Sequence, residues 1–370
     1  MGYKETLYFV AKCLTISIVD RNKKEIEKQL QLNNIDWDSV VKVSTSHYVF
    51  PALFCNLKRS NLLHYLPKEL VTYMESITNL NRKRNEKIIE QANELNSHLL
   101  KNNIKPIFLK GTANLLAGIY EDIAERMVGD IDFIFSKEDY PKAIKILRNY
   151  NYSEVGKYKY QFPGGKHYRR LKKNKSIAAI EIHSEIVLRE KYRKEFNYSF
   201  VKKDLQIINK TRVLSYANKL NLSIISDQIN DNGFYLNRII LRNAYDVFLL
   251  SKKTVAKDAV NKLDKLKNPL NCFLAACYVV FNNISNLKYD KNNLTTYYLK
   301  MFNYQLSNPK KTKNLHKIVK IYLFVRWMSN ILYKSVIHKE YRDWLLRRVT
   351  DKNWHREKLM QLGFKNNRIC

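Results

Sequence analysis

Residues Gly129-Asp130-Ile131-Asp132-Phe133-Ile134 set two carboxylates one residue apart inside an apolar run. A strand turns successive side chains to opposite faces, so Asp130 and Asp132 are expected on one face and Ile131 and Phe133 on the other. Two anions that close repel each other, and a divalent cation between them removes that cost. Hard oxygen donors of this kind suit Mg²⁺ or Mn²⁺. Upstream, the apolar stretch Pro106–Leu109 runs into Lys110-Gly111-Thr112, and a helical pattern follows through Ala113, Leu115, Leu116 and Ile119. The N–H groups at such a helix start can cradle phosphate, a glycine lets backbone come close, and Lys110 adds a cation.

A third acid follows on another strand. Residues 176–186 read as an apolar strand whose second half alternates, with Glu181, His183 and Glu185 on one face and Ile180, Ile182 and Ile186 on the other. His183 is placed to orient Glu181, to touch phosphate or to act as a base. Before this strand, Tyr158, Tyr160 and Phe162, the turn at Pro163-Gly164-Gly165 and a return strand from Lys166 predict a hairpin. That return strand carries His167, Arg169 and Arg170, read mainly as a solvated basic edge. The stretch 104–186 is thus expected to run β-α-β-α-β-β-β.

Around it the pattern is helical. Asp36 is an expected N-cap, Pro51 and Pro67 open helices, and Ile88, Ala92, Leu95 and Leu99 form one face of a helix over 81–102. After a polar connection at 187–208, helices are expected again, with Arg242 and Asp246 four residues apart as an ion pair or a tie to the sheet. The expected class is α+β. A helical region at 1–103 and a helical domain at 209–370 flank a mixed-sheet module at 104–208.

The order Leu109-Lys110-Gly111, Arg126, Asp130-Ile131-Asp132 and Glu181-Ile182-His183 resembles an uncharacterised bacterial nucleotidyltransferase family of the DNA-polymerase-β-like nucleotidyltransferase superfamily. Asp36-Trp37, His47 through Pro51, Ile104, Arg242 and Asp246 extend the likeness over most of the chain. The resemblance implies a five-stranded type of mixed sheet and Mg²⁺-dependent transfer of a nucleoside monophosphate from a nucleoside triphosphate such as ATP. Asp130, Asp132 and Glu181 would be the catalytic metal ligands. Lys110, Gly111, Thr112, Arg126 and His183 would bind the nucleotide. Lys110-Gly111 stands where the superfamily usually has Gly-Ser, and Glu181 stands where Asp is commoner.

Net charge is +32, with 66 Lys+Arg against 34 Asp+Glu, which suits an anionic substrate or nucleic acid. The acceptor remains open among a small molecule, a sugar, a peptide, RNA or protein. Two further readings stand beside the first: a non-catalytic nucleotide- or RNA-binding protein on the same scaffold, and a toxin-like enzyme that nucleotidylates tRNA or protein. Five cysteines without ligand spacing, and no apolar run long enough to span a bilayer, predict a cytoplasmic protein.

Overall fold

A computed structural model describes residues 1–155 and 162–364. The described residues group into two compact units, one of 1–155 with 166–303 and one of 162–165 with 304–364. The chain is α+β, and the first unit holds the sheet.

Five helices come first: α1 (Tyr3–Cys13), α2 (Asp20–Gln31), α3 (Trp37–Ser46), α4 (Phe50–Arg59) and α5 (Lys68–Lys101). Asp36 caps α3 by accepting from the Ser39 N–H at 3.0 Å. Pro67 caps α5, which runs 34 residues and so starts well before the expected boundary at 81. Its buried stripe is Met74, Thr78, Asn81, Asn85, Ile88, Ala92, Leu95 and Leu99, spaced alternately three and four apart. The stripe is apolar where it meets side chains and polar where it meets backbone. Asn81 donates to the Ala124 carbonyl at 2.7 Å, and Asn85 to those of Ile123 and Arg126 at 2.6 and 2.7 Å.

The sheet module follows the expected order: β1 (Ile107–Leu109), α6 (Lys110–Leu116), β2 (Ile131–Ile134), α7 (Asp139–Asn149), β3 (Ser153–Glu154), β4 (Leu171–Lys172) and β5 (Ile180–His183). Short helices α8 (Glu190–Arg193) and α9 (Tyr198–Val201) lead to β6 (Leu205–Ile208) and β7 (Thr211–Leu214). These two strands correct the reading of 187–208 as a polar connection and of the chain from 209 as helical. Asn209 and Lys210 join them at φ 48° and 64°, the positive values a tight hairpin turn requires. Among the described residues the sheet therefore has seven strands, in the order β3-β4-β5-β2-β1-β7-β6, rather than five. The expected hairpin before β5 is only partly visible. Tyr158 and Tyr160 lie outside the described residues, and the return segment runs antiparallel to β5, bridging at His167 to His183 and again where it enters β4, at Leu171 to Ile180.

Register decides what stands beside what. β1 and β2 are antiparallel with Leu109 opposite Asp132, and β2 and β5 are parallel with Asp132 opposite Glu181. Lys110, Asp132 and Glu181 thus meet at one end of three adjacent strands. On the opposite face, Phe108, Phe133 and Phe135 pack edge to face, with ring centroids 5.7 and 5.4 Å apart.

Helices α10 (Tyr216–Ile225), α11 (Leu241–Ser251), α12 (Ala256–Asn261), α13 (Lys267–Val280) and α14 (Asn293–Ser307) follow. Asp246 on α11 does not pair with Arg242, as its spacing suggested. It accepts from Arg126, with Nη2 2.9 Å from Oδ2, and from Tyr120 at 2.6 Å. Both ends of this pair are buried, Arg126 at 7% exposure and Asp246 at 1%. Arg242 lies instead over the Tyr48 ring, 4.8 Å from its centroid. The alternative reading, a tie between α11 and the sheet module, is what the fold contains.

The second unit holds α15 (Pro309–Ile337), α16 (Lys339–Val349) and α17 (Lys352–Gln361). Its core is Ile331, Tyr341, Trp344 and Trp354, with Phe162 5.0 Å from Trp344 between ring centroids. No helix among the described residues is long and apolar enough to cross a membrane.

Removing one partner of a buried ion pair leaves the other charge without compensation. Asp246→Ala is expected to destabilise the first unit by about 3–5 kcal/mol in urea unfolding. A loss below about 1 kcal/mol, the ceiling typical of exposed pairs, would show that the pair carries no structural load.

Candidate functional site

Lys110 is where the chain leaves β1. It takes φ 53°, a left-handed conformation costing a non-glycine residue about 1–3 kcal/mol. The turn aims its side chain back across the strand ends. Its ammonium bonds to Asp132 Oδ1 and lies 3.5 Å from Glu181 Oε2. On the same side, His183 Nε2 lies 2.8 Å from Asp132 Oδ1 and 3.5 Å from Glu181 Oε2. One ligand atom from each of Asp132, Glu181 and His183 falls within 4.8 Å of the other two, a spacing a single metal ion can bridge.

The electrostatics follow from that arrangement. Burial alone would raise the Glu181 pKa. Its hydrogen bond with His183 and the charges of Lys110 and His167 outweigh burial and hold it far below the usual carboxylate range. For Lys110, burial pulls downward, but Asp132 and Glu181 win and keep its pKa above the ordinary lysine value. An ammonium held between two carboxylates marks a place on this face where positive charge is stabilised. The donor set, two carboxylates and an imidazole, fits a divalent cation at that place.

Asp130 stands one residue before β2, at a bend, and is outside this group of three. Its carboxylate pairs with Arg170, whose Nε is also 3.8 Å from Glu181 Oε1. Burial raises the Asp130 pKa; Arg170 opposes the rise, and Glu181 and Asp132 add to it. Asp130 is thus linked to the other two acids through Arg170 and through charge.

The residues expected to grip phosphate are placed differently. Gly111 is buried, and a Cβ there would meet Val128 Cγ2 at 2.9 Å and Arg126 Cζ at 3.6 Å. Its glycine is thus required by packing from behind. Thr112 is fully buried and donates to the Asp130 carbonyl at 3.2 Å, which ties the turn to β2. The Arg126 guanidinium lies behind Gly111 and is engaged by Asp246. His183, at 1% exposure, faces the acids.

Other cations stand nearer the carboxylates than sequence reasoning placed them. Arg170 joins the acid group, whereas Arg169 turns away to Glu154. His167 Nε2 is 4.0 Å from Glu181 Oε2. Burial and the neighbouring Lys110 charge lower the Lys166 pKa, and Asp132 and Glu181 partly restore it, so this ammonium also lies within electrostatic range of the centre. The available signal was position: Lys166 to Arg170 immediately follow a Pro-Gly-Gly turn and precede the acid-bearing strand.

Folded-state Glu181 lies below its unfolded pKa, so its contribution to stability is full above the ordinary Glu range and is lost as pH falls. Between about pH 6 and about pH 3 the wild type is expected to lose more unfolding free energy than Glu181→Gln. Parallel curves from urea unfolding at each pH would contradict this electrostatic account.

A family model described as an uncharacterised nucleotidyltransferase matches residues 33–282, a span that contains every residue of this site. No curated protein and no solved structure matches the chain.

Proposed function

The chain belongs to this uncharacterised nucleotidyltransferase family, and from that premise we propose that Asp132 and Glu181 form its catalytic centre. The reaction is Mg²⁺- or Mn²⁺-dependent transfer of a nucleoside monophosphate from a nucleoside triphosphate to a hydroxyl-bearing acceptor. The observation that supports this reading is the convergence of Lys110, Asp132, Glu181 and His183 at the ends of β1, β2 and β5.

In the transfer, an acceptor oxygen forms a bond to the α-phosphorus, the bond to the bridging oxygen breaks, and pyrophosphate leaves. A bound divalent ion would neutralise charge on the phosphate oxygens and lower the pKa of a hydroxyl it holds. Asp132 and Glu181 would hold that ion. Glu181 suits ligation better than base catalysis, because a strongly depressed pKa makes a weak proton acceptor. Asp130, whose pKa burial raises, is the better candidate for the hydroxyl proton. Lys110, Lys166 and Arg170 supply the positive charge that a triphosphate requires. Gly111, Thr112 and Arg126 act beneath them, fixing the turn that presents Lys110. His183 is buried and faces both acids from within the sheet.

The acceptor is read from charge. From Tyr304 to Cys370 the chain carries 16 Lys+Arg against four acids, which favours an anionic acceptor such as RNA. A toxin-like enzyme modifying tRNA falls within this reading.

Incubating the purified chain with each α-labelled nucleoside triphosphate, Mg²⁺ or Mn²⁺, and total RNA or total protein should place label on one acceptor class. Asp132→Asn and Glu181→Gln are each expected to lower that transfer by about 100-fold or more, with the fold intact by circular dichroism. Undiminished transfer in both variants would remove the acid pair from the chemistry. Lys110→Met should weaken triphosphate binding yet tighten binding of the free cation, since its ammonium competes for the same two carboxylates; isothermal titration with each ligand measures both.

A further inference from the structure

Two imidazoles face the acid pair, and the same device orients both. His183 Nδ1 lies 3.3 Å from the Glu185 carbonyl oxygen, and His167 Nδ1 lies 2.7 Å from the Tyr168 carbonyl oxygen. A carbonyl oxygen only accepts, so each Nδ1 carries a proton and donates it. Each ring then turns Nε2 to the carboxylates, where a bound cation would take the place of the proton that His183 Nε2 shares with Asp132. His183 Nε2 is 2.8 Å from Asp132 Oδ1 and 3.5 Å from Glu181 Oε2, and His167 Nε2 is 4.0 Å from Glu181 Oε2. The rings stand edge to face, 5.2 Å apart between centroids. Backbone bridging holds them there: His167 and His183 form an isolated antiparallel pair, and Tyr168 N–H donates to the Ile182 carbonyl at 2.8 Å.

A metal-bound histidine characteristically donates its second ring nitrogen to a backbone carbonyl or carboxylate, which fixes the tautomer and makes the other nitrogen a better ligand. Both rings here meet that condition; His183 Nε2 belongs to the group of ligand atoms that lie within 4.8 Å of one another, and His167 stands beside that group, with Nε2 4.0 Å from Glu181 Oε2. Imidazole nitrogen is a favourable ligand for first-row transition ions, whereas Mg²⁺ takes oxygen ligands almost exclusively.

We propose that His183 and His167 join Asp132 and Glu181 as ligands, so that the centre prefers a transition ion, with Mn²⁺ as its representative, over Mg²⁺. The proposal rests on the metal role given to the acid pair above. It assigns His183 a direct ligand function where the sequence suggested contact with the nucleotide.

The experiment is electron spin-echo envelope modulation of Mn²⁺ bound to the full-length chain, with natural and ¹⁵N-histidine-labelled protein. Imidazole ligation predicts nitrogen modulation that changes from the ¹⁴N to the ¹⁵N pattern on labelling. His183→Gln is expected to remove most of it and to weaken Mn²⁺ binding by about 10-fold, measured by titration, with a smaller effect on Mg²⁺. His167→Gln should remove the remainder. Because the wild-type spectrum decides the question alone, a variant that fails to fold leaves the test intact. Bound Mn²⁺ without histidine modulation, still lost in Asp132→Asn, would overturn imidazole ligation while leaving the carboxylate centre standing. Failure to bind Mn²⁺, with or without a nucleoside triphosphate, would overturn both.

Discussion

Asp132 and Glu181 face each other across a parallel strand pair, and their mutual repulsion has to be cancelled for the sheet to hold that register. The cancellation is local and built from three directions. Lys110 arrives from the adjacent strand end, His183 from two residues further along β5, and Arg170 from the segment beside it. Each cationic or hydrogen-bonding group is brought in by a different backbone constraint: a left-handed residue, a strand period of two, and a bridge to β5. The same concentration of charge that is costly to bury is what a phosphate-transfer site needs, since such chemistry depends on placed charge more than on covalent participation.

A second layer keeps this arrangement in place. Gly111 packs directly on Val128 and Arg126, and Arg126 is locked to Asp246 on α11. The long helix α5 clamps the 123–126 turn through Asn81 and Asn85 and the approach to β5 through Gln91, which bonds both the N–H and the carbonyl of Ala178. Arg84 adds bonds to the Val128 and Gly129 carbonyls just before the acids. The buried amides satisfy backbone groups that lie outside any strand and would otherwise be desolvated without partners. Rigidity at the centre therefore depends on polar residues along a stripe whose other half is ordinary apolar core.

The elements near the centre were legible because their signals are local. Strand period, glycine after a short apolar run, and an acid-bearing alternating segment gave the order β-α-β-α-β-β-β without any knowledge of contacts. The hairpin of β6 and β7 was missed because Asn209-Lys210 lacks the glycine that usually marks such a turn, although both residues adopt positive φ. For Asp246, spacing left two readings open, a pair with Arg242 and a tie to the sheet module, and the second is what the fold contains. Spacing of four shows only that two side chains can meet on a helix, and Arg126, 120 residues away, offered a buried partner.

What the chain alone determines is therefore the inventory: three acids, a lysine before a glycine, a histidine two past the last acid, and strands to carry them. Which of these touch was decided by register and by packing from outside the module. Pairing of β2 with β5 brings Asp132 to Glu181, while Asp246 takes Arg126 into the interior. Side-chain chemistry is written residue by residue, but whether an arginine grips a ligand or braces a turn depends on the nearest opposite charge in space, and that distance exists only once the chain has folded.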